Sequence, residues 1–294
     1  MFAKASSRGV ARALLGLVLA WLAPAPPIAA AAEPAAPAGI PWEKDFKSAL
    51  RSAKAAGKPI MVDFWASWCH WCHQLDETTY RDAKVAGLAR DFVAVKVNTE
   101  GGLEERQLTS QYGVETLPTI AFLSPQGRLF FLRSEFENPE RFSATLETAR
   151  ALAKDTIAWE AALAKDHHDA AALAGLGHLL VGQGLVANGR ELLREARKSD
   201  QGLAVAERKR LRRELSLAER QASRWAESER LLEEAVALQP VVAEEDGAAL
   251  FALGDAYLQR GDVARARTTW KRCLELAPDG PWAARSQHAL AALP

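Results

Sequence analysis

The middle of the chain alternates between helix-like and strand-like patterns of apolar residues. From Trp42 to Ala53 the apolar side chains recur on one helical face, and Gly57-Lys58-Pro59 ends that helix. Four short apolar runs have the length of buried strands: residues 60–66, 92–97, 119–123 and 128–132. Further helical patterns cover residues 70–89, 103–112 and 139–153.

The order of these elements predicts an α/β domain over residues 42–154. A helix separates the first two strands, so those strands should be parallel. The turn Ser124-Pro125-Gln126-Gly127 joins the last two strands, which should form a hairpin. We therefore expect a mixed sheet with helices on both faces.

Residues 155–294 predict an all-α domain, because Leu, Ala, Arg and Glu recur at helical spacing with almost no strand-like run. A pattern of small and large residues occurs three times, and its small positions Ala196, Ala235 and Cys273 are 39 and 38 residues apart. The sequence favours three stacked helix pairs followed by a capping helix over 281–293. We expect Cys273 to be a buried, inert thiol and the larger aromatic residues to lie in the repeat core: Trp225, Tyr257 and Trp270.

The first 41 residues differ from both halves. Three basic residues precede the apolar run 13–22, and prolines and small residues follow it up to Ala32. This arrangement is typical of a secretory signal peptide over residues 1–32, with an Ala/Pro-rich linker over 33–41. The run is shorter than the roughly 20 residues of a membrane helix. We therefore expect an exported, periplasmic protein, with an uncleaved membrane anchor as the alternative.

The composition argues against two classes of protein. Lys plus Arg and Asp plus Glu both number 37, so no overall basic charge favours nucleic acid as a partner. Three cysteines are too few for a scaffold held together by disulfides.

Two of those cysteines form the motif Cys69-His70-Trp71-Cys72 between a predicted strand and a predicted helix. A helix N-terminus stabilises a thiolate, and this spacing lets the second thiol attack a mixed disulfide made by the first. With His73 the motif also matches the signature for covalent haem attachment. A zinc site of two Cys and two His is a third alternative, although the second separated ligand pair is missing from the sequence.

From Trp42 to about Ala153 the chain resembles the thioredoxin family, and in particular secreted domains such as the soluble C-terminal domain of bacterial transmembrane thiol–disulfide interchange proteins. Three segments carry the resemblance in order: residues 62–72, 95–98 and 112–119. His70-Trp71 replaces the family's Gly-Pro, and Glu77 stands where many members have a helix-kinking proline. Residues 155–294 resemble tetratricopeptide repeats.

The resemblance implies a role for each site residue. Cys69 would be the exposed nucleophile with a lowered pKa, and Cys72 would resolve the mixed disulfide. Asp63 matches the family's buried acid, which relays a proton to or from the second cysteine, and Lys96 matches its partner. The resemblance also implies a cis Pro118 opposite the cysteines and Leu117 beside it, whose backbone would pair with an extended substrate. By their position beside the thiols, Trp68 and Trp71 are further candidates for substrate binding or for covering the site, with core packing as the alternative for Trp68.

These features together predict an exported protein-disulfide reductase that needs no cofactor beyond its own dithiol. The resemblance implies proteins with disulfides as substrates, a membrane-embedded thiol reductant, and a protein partner on the repeats. A cationic His70 would instead favour a disulfide oxidase or isomerase. A redox-independent chaperone or assembly scaffold is the alternative from another class.

Overall fold

The structure, a computed structural model, describes residues 39–293. The predicted signal peptide and residues 33–38 of the predicted linker lie outside the described residues. Within residues 39–293, no helix is both long enough and apolar enough to cross a membrane.

A five-stranded mixed sheet forms the centre of the first half. The strands are β1 (Trp42–Glu43), β2 (Ile60–Trp65), β3 (Val93–Asn98), β4 (Thr119–Leu123) and β5 (Leu129–Arg133). They lie in the order β1-β3-β2-β4-β5. β3 is parallel to both β1 and β2, whereas β4 is antiparallel to β2 and β5. The predicted parallel pair and hairpin are therefore confirmed.

Helices cover both faces of this sheet. They are α1 (Phe46–Ala56), α2 (His70–Glu77), α3 (Ala83–Ala89), α4 (Leu103–Gln111) and α5 (Pro139–Leu163). Ile60, Val62 and Phe64 pack with α1 and α4 on one face, whereas Met61 packs with α3 and α5 on the other. This alternation follows from the two-residue period of a strand, and it places Asp63 on the same face as Met61.

Two local predictions for this half were wrong. Trp42 belongs to β1 rather than to the first helix, which starts at Phe46 after the N-cap Asp45. The continuous helix expected over 70–89 is broken: α2 ends at Glu77, a 3₁₀ turn covers Thr79–Arg81, and Asp82 caps α3 through the backbone N–H groups of two residues. A strong N-cap starts a new helix because it satisfies donors that would otherwise be orphaned.

The second half is helical throughout the described residues. Its helices are α6 (Ala170–Gly182), α7 (Val186–Lys198), α8 (Val205–Gln221), α9 (Trp225–Ala237), α10 (Ala243–Gln259), α11 (Val263–Leu276) and α12 (Pro281–Ala291). α5 continues to Leu163, about ten residues beyond its predicted end, so it extends past the domain boundary predicted at residue 154.

Close packing between the helices of a pair explains why small residues recur at equivalent positions of the repeats. A Cβ atom on Gly177 would lie 2.6 Å from Leu193, and one on Gly254 would lie 2.3 Å from Trp270. The three small positions Ala196, Ala235 and Cys273 are fully buried. α12 is the predicted capping helix. Trp270 and Tyr257 are buried as expected, but the prediction for Trp225 was wrong, because 42% of its surface is exposed.

Candidate active site

Cys69 and Cys72 are joined by a disulfide at the start of α2. Cys69 is the N-cap of that helix, and the backbone N–H of Cys72 donates to its Sγ at 3.2 Å. A helix N-terminus combines unpaired N–H donors with a partial positive charge, so this position favours a thiolate.

The prediction of an exposed Cys69 was wrong for this disulfide form. Cys69 is 4% exposed and Cys72 2% exposed, because Ala66, Trp65 and Leu117 pack around the pair.

The Leu117–Pro118 peptide bond is cis, as expected. Pro118 is buried, whereas Leu117 is half-buried and packs against the two cysteines. The loop between α4 and β4 therefore contributes one wall of the disulfide's surroundings.

Two exposed tryptophans flank the cysteines. Trp68 is 67% exposed and Trp71 is 54% exposed, so neither is a core residue. The Trp71 ring packs against Phe136 at a centroid distance of 5.2 Å and against His70 at 5.3 Å. These rings form an apolar surface beside the disulfide. His73 lies on the helix surface as predicted, and its Nε2 is 2.8 Å from the carbonyl oxygen of Ser67.

Asp63 is fully buried in β2, as the sequence predicts. Its Oδ2 accepts a hydrogen bond from Lys96 Nζ on the neighbouring strand β3 at 2.9 Å. Burial raises the pKa of Asp63, and the charge of Lys96 opposes that rise. Burial alone would lower the pKa of Lys96, but Asp63 and a second carboxylate together raise it.

That second carboxylate belongs to Asp76, which the sequence analysis missed. Asp76 lies in α2, four residues after Cys72, and accepts a hydrogen bond from Lys96. Lys96 thus connects the strand of Asp63 to the helix of the cysteines. The one available signal was position, since residues four apart share a helix face.

Trp42 and Tyr80 were also missed. Lys96 Nζ lies 4.9 Å from the ring centroid of Trp42 and 5.1 Å from that of Tyr80. Both distances are within the range of cation–π attraction. No pattern along the chain brings β1, β3 and the turn after α2 to one point, so these contacts depend on the tertiary fold.

The helical half contributes a groove rather than a reactive cluster. A cavity of about 550 Å³ lies between α9, α10 and α11, and Tyr257, Arg265 and Arg272 are among its lining residues. Across residues 39–293, no group of three or more His, Cys, Asp or Glu side chains is arranged to hold a metal ion.

Comparison with known proteins agrees with this architecture. A family model described as a thioredoxin-like domain matches residues 46–150, and a tetratricopeptide-repeat model matches residues 247–279. Residues 46–150 are a thioredoxin-like domain. The predicted fold class, a thioredoxin fold followed by an all-α repeat region, is therefore confirmed.

The thioredoxin-like domain is similar to curated proteins named thiol:disulfide interchange protein DsbD. The protein of that name from Ralstonia nicotianae is 30% identical over 107 residues, which are 36% of this chain and 18% of the relative. The chain therefore spans less than a fifth of the length of this relative.

The solved structures that match the chain include one titled DsbH oxidoreductase, at 26% identity and a TM-score of 0.37. That match covers 41% of this chain and 90% of the other. The reduced C-terminal domain of Neisseria meningitidis DsbD matches at 20% identity and a TM-score of 0.33, over 35% of this chain and 92% of that one.

Proposed function

We propose that the protein is a thiol–disulfide oxidoreductase that reduces disulfides in partner proteins through Cys69 and Cys72. The observation that carries the proposal is the disulfide at the N-terminus of α2, packed against the cis-proline loop. The similarity of the thioredoxin-like domain to thiol:disulfide interchange proteins supports the same chemistry.

The reaction transfers two electrons from the dithiol to the partner. The Cys69 thiolate attacks one sulfur of the partner's disulfide, and the other sulfur leaves as a thiolate that takes up a proton. Cys72 then loses its proton to Asp63 and attacks Cys69 Sγ. The Cys69–Cys72 bond forms, the mixed disulfide breaks, and the second partner sulfur leaves as a thiolate, so the partner is reduced and the enzyme is oxidised.

The substrate would approach over the apolar surface of Trp68 and Trp71. Their exposure supports this role, because large aromatic side chains at a surface commonly anchor protein contacts. Leu117, beside the cis peptide bond, would offer its backbone to an extended segment of the substrate.

The proposal also covers the location of the protein, the source of its electrons and the role of the helical repeats. An N-terminal secretory signal would deliver the protein to the periplasm, and a membrane-embedded thiol donor would reduce the Cys69–Cys72 bond after each cycle. The helical repeats would hold a protein partner near the redox site, since stacked helix pairs create extended binding surfaces.

The redox potential of the Cys69–Cys72 pair tests the direction of the reaction. Purified protein is equilibrated with glutathione buffers, and free thiols are counted by alkylation, with Cys69→Ser as the control. A potential of about −270 mV supports a reductase, whereas a value of about −120 mV indicates a disulfide donor. A pair that never exchanges with glutathione contradicts the redox proposal and favours a scaffold.

A further inference from the structure

Tyr80 is a buried tyrosine that the proposed reaction leaves without a role. It lies in the 3₁₀ turn after α2 and is 4% exposed. Its ring packs edge-on against Trp42 at a centroid distance of 5.2 Å and against Phe142 at 5.6 Å. These contacts fix the ring, so its position relative to the active site is well defined.

The ring of Tyr80 contacts Lys96, the cation that is hydrogen-bonded to Asp63. Lys96 Nζ lies 5.1 Å from the centroid of the Tyr80 ring and 4.9 Å from that of Trp42, while it donates to the carboxylates of Asp63 and Asp76. Two aromatic rings and two carboxylates therefore surround the ammonium group. This environment favours the charged form of Lys96 and holds it beside Asp63.

The hydroxyl of Tyr80 is a candidate for a second contact, with Asp63 itself. Asp63 Oδ1 and the Tyr80 hydroxyl are both buried, and neither has a partner within hydrogen-bonding geometry among residues 39–293. The two groups are nevertheless close enough for Tyr80 to lower the pKa of Asp63. Burial, with Asp63, Asp76 and Glu137 nearby, raises the pKa of Tyr80 well above its usual value, so the hydroxyl keeps its proton and remains a donor.

We propose that Tyr80 is a positioning residue for proton transfer at Asp63. Its hydroxyl is the donor that would bind the free Oδ1 of Asp63, and its ring lies beside the Lys96 ammonium that binds Oδ2. Both contacts stabilise the ionised carboxylate, which is the form that accepts the proton of Cys72 when Cys72 attacks Cys69. This inference rests on the proposed dithiol chemistry.

The charged groups around Asp63 come from several elements. Lys96 faces it from β3, Asp76 from α2 and Tyr80 from the turn after α2, while Glu137 precedes α5 and lies near Tyr80. A measured pH profile therefore reports the coupled titration of this whole group. The effect of one residue is obtained from the difference between its variant and the wild type.

The first test is the pH dependence of a single turnover. Reduced protein is mixed with a disulfide substrate between pH 5 and 9, and the rate of substrate reduction is followed for wild type, Tyr80→Phe and Tyr112→Phe. Tyr112 is the matched control, because it is a buried tyrosine on the opposite face of the sheet whose hydroxyl donates to the carbonyl oxygen of Gly127. Tyr80→Phe keeps the ring and removes only the donor.

The proposal predicts that Tyr80→Phe moves the acidic limb of the profile to higher pH. At pH 6 the rate should fall about two- to tenfold, the factor that one hydrogen bond supplies, and it should approach the wild-type rate at high pH. Replacing Tyr80 by 3-fluorotyrosine, a stronger donor of nearly the same size, should move the limb the other way. Profiles that superimpose on the wild type would overturn the proposal.

A second measurement separates this proposal from the redox function. The ¹³C shift of the Asp63 carboxyl is titrated in the disulfide form, which requires no turnover, with Asp63→Asn used to assign the signal. In Tyr80→Phe the Asp63 titration should move to higher pH, and an unchanged titration would refute the contact. If this shift occurs but wild-type protein reduces no disulfide, the proposed function fails while the Tyr80–Asp63 contact stands.

Discussion

Asp76 and Lys96 form a hydrogen-bonded ion pair between α2 and β3. Because Lys96 also binds Asp63, this pair couples the helix that carries the cysteines to the buried carboxylate. Asp76 is partly exposed, whereas Asp63 is fully buried. The negative charge of Asp76 contributes to the raised pKa of Asp63.

Asp76→Asn should therefore move the acidic limb of the pH–rate profile to lower pH, opposite to the direction expected for Tyr80→Phe. The effect should be smaller than about fivefold at any pH, because a partly exposed charge is screened by solvent. Single-turnover rates between pH 5 and 9 measure it. Glu77→Gln is the matched control, since Glu77 is the next residue of α2 and contacts Gln74 rather than Lys96. A shift of equal size in both variants would rule out a specific effect of Asp76.

Asp63 should make the stability of the protein depend on pH. Its pKa is raised in the folded state, so the folded protein binds this proton more tightly than the unfolded chain. The free energy of unfolding should therefore fall as pH rises from the ordinary carboxyl range through the folded-state pKa. At pH values above the folded-state pKa, the free energy of unfolding is lower by about 1.4 kcal/mol for each unit by which the folded-state pKa of Asp63 exceeds its unfolded-state pKa.

Asp63→Asn removes this titration, so its unfolding free energy should change less with pH than that of the wild type. Urea denaturation of the disulfide form between pH 4 and 8 tests the difference. Parallel curves for the two proteins would show that other groups account for the pH dependence.

Trp71 should contribute to substrate binding but little to stability. It is more than half exposed and packs only partly on Phe136. Trp71→Ala should lower kcat/KM for a protein disulfide by about five- to thirtyfold, which corresponds to about 1–2 kcal/mol for an interface tryptophan. Reduction of a small disulfide, which cannot cover the aromatic surface, should change much less.

Trp225→Ala is the control for Trp71, because Trp225 is similarly exposed but lies in α9 of the helical half. If the two variants lose activity equally, the surface beside the disulfide has no special role. If only Trp225→Ala loses activity on the protein substrate, docking on the repeats dominates.

The sequence predicts the order of elements because apolar runs and turn residues are local signals. It also predicts that Asp63 is buried, since a carboxylate within an apolar strand has no exposed face to occupy. It could not predict Tyr80, Trp42 or Asp76 as neighbours of Lys96, because three separate elements meet there. The burial of Cys69 depends in the same way on Leu117, which is distant in sequence.

The helical half has a similar long-range feature. Lys209 and Asp246 form a fully buried ion pair at 2.8 Å, and Lys209 Nζ also donates to the carbonyl oxygens of Ala235 and Leu238. The sequence alone does not distinguish this lysine from its solvated neighbours in an Arg-rich helix. The register between α8 and α10 is what brings it to Asp246, and helical periodicity does not determine that register.

Gly254 should be essential to the packing of the last repeat. A Cβ atom there would lie 2.3 Å from Nε1 of Trp270, which is fully buried and donates to the carbonyl oxygen of Phe251. Because a fully buried ring would have to shift to admit the methyl group, Gly254→Ala should lower the free energy of unfolding by about 1–3 kcal/mol. Gly182→Ala is the matched control, because a Cβ atom on Gly182 meets nothing within 4 Å and alanine is the better helix former. Urea denaturation should show destabilisation for Gly254→Ala and none for Gly182→Ala, and equal stabilities would mean that the glycine is not needed for the contact with Trp270.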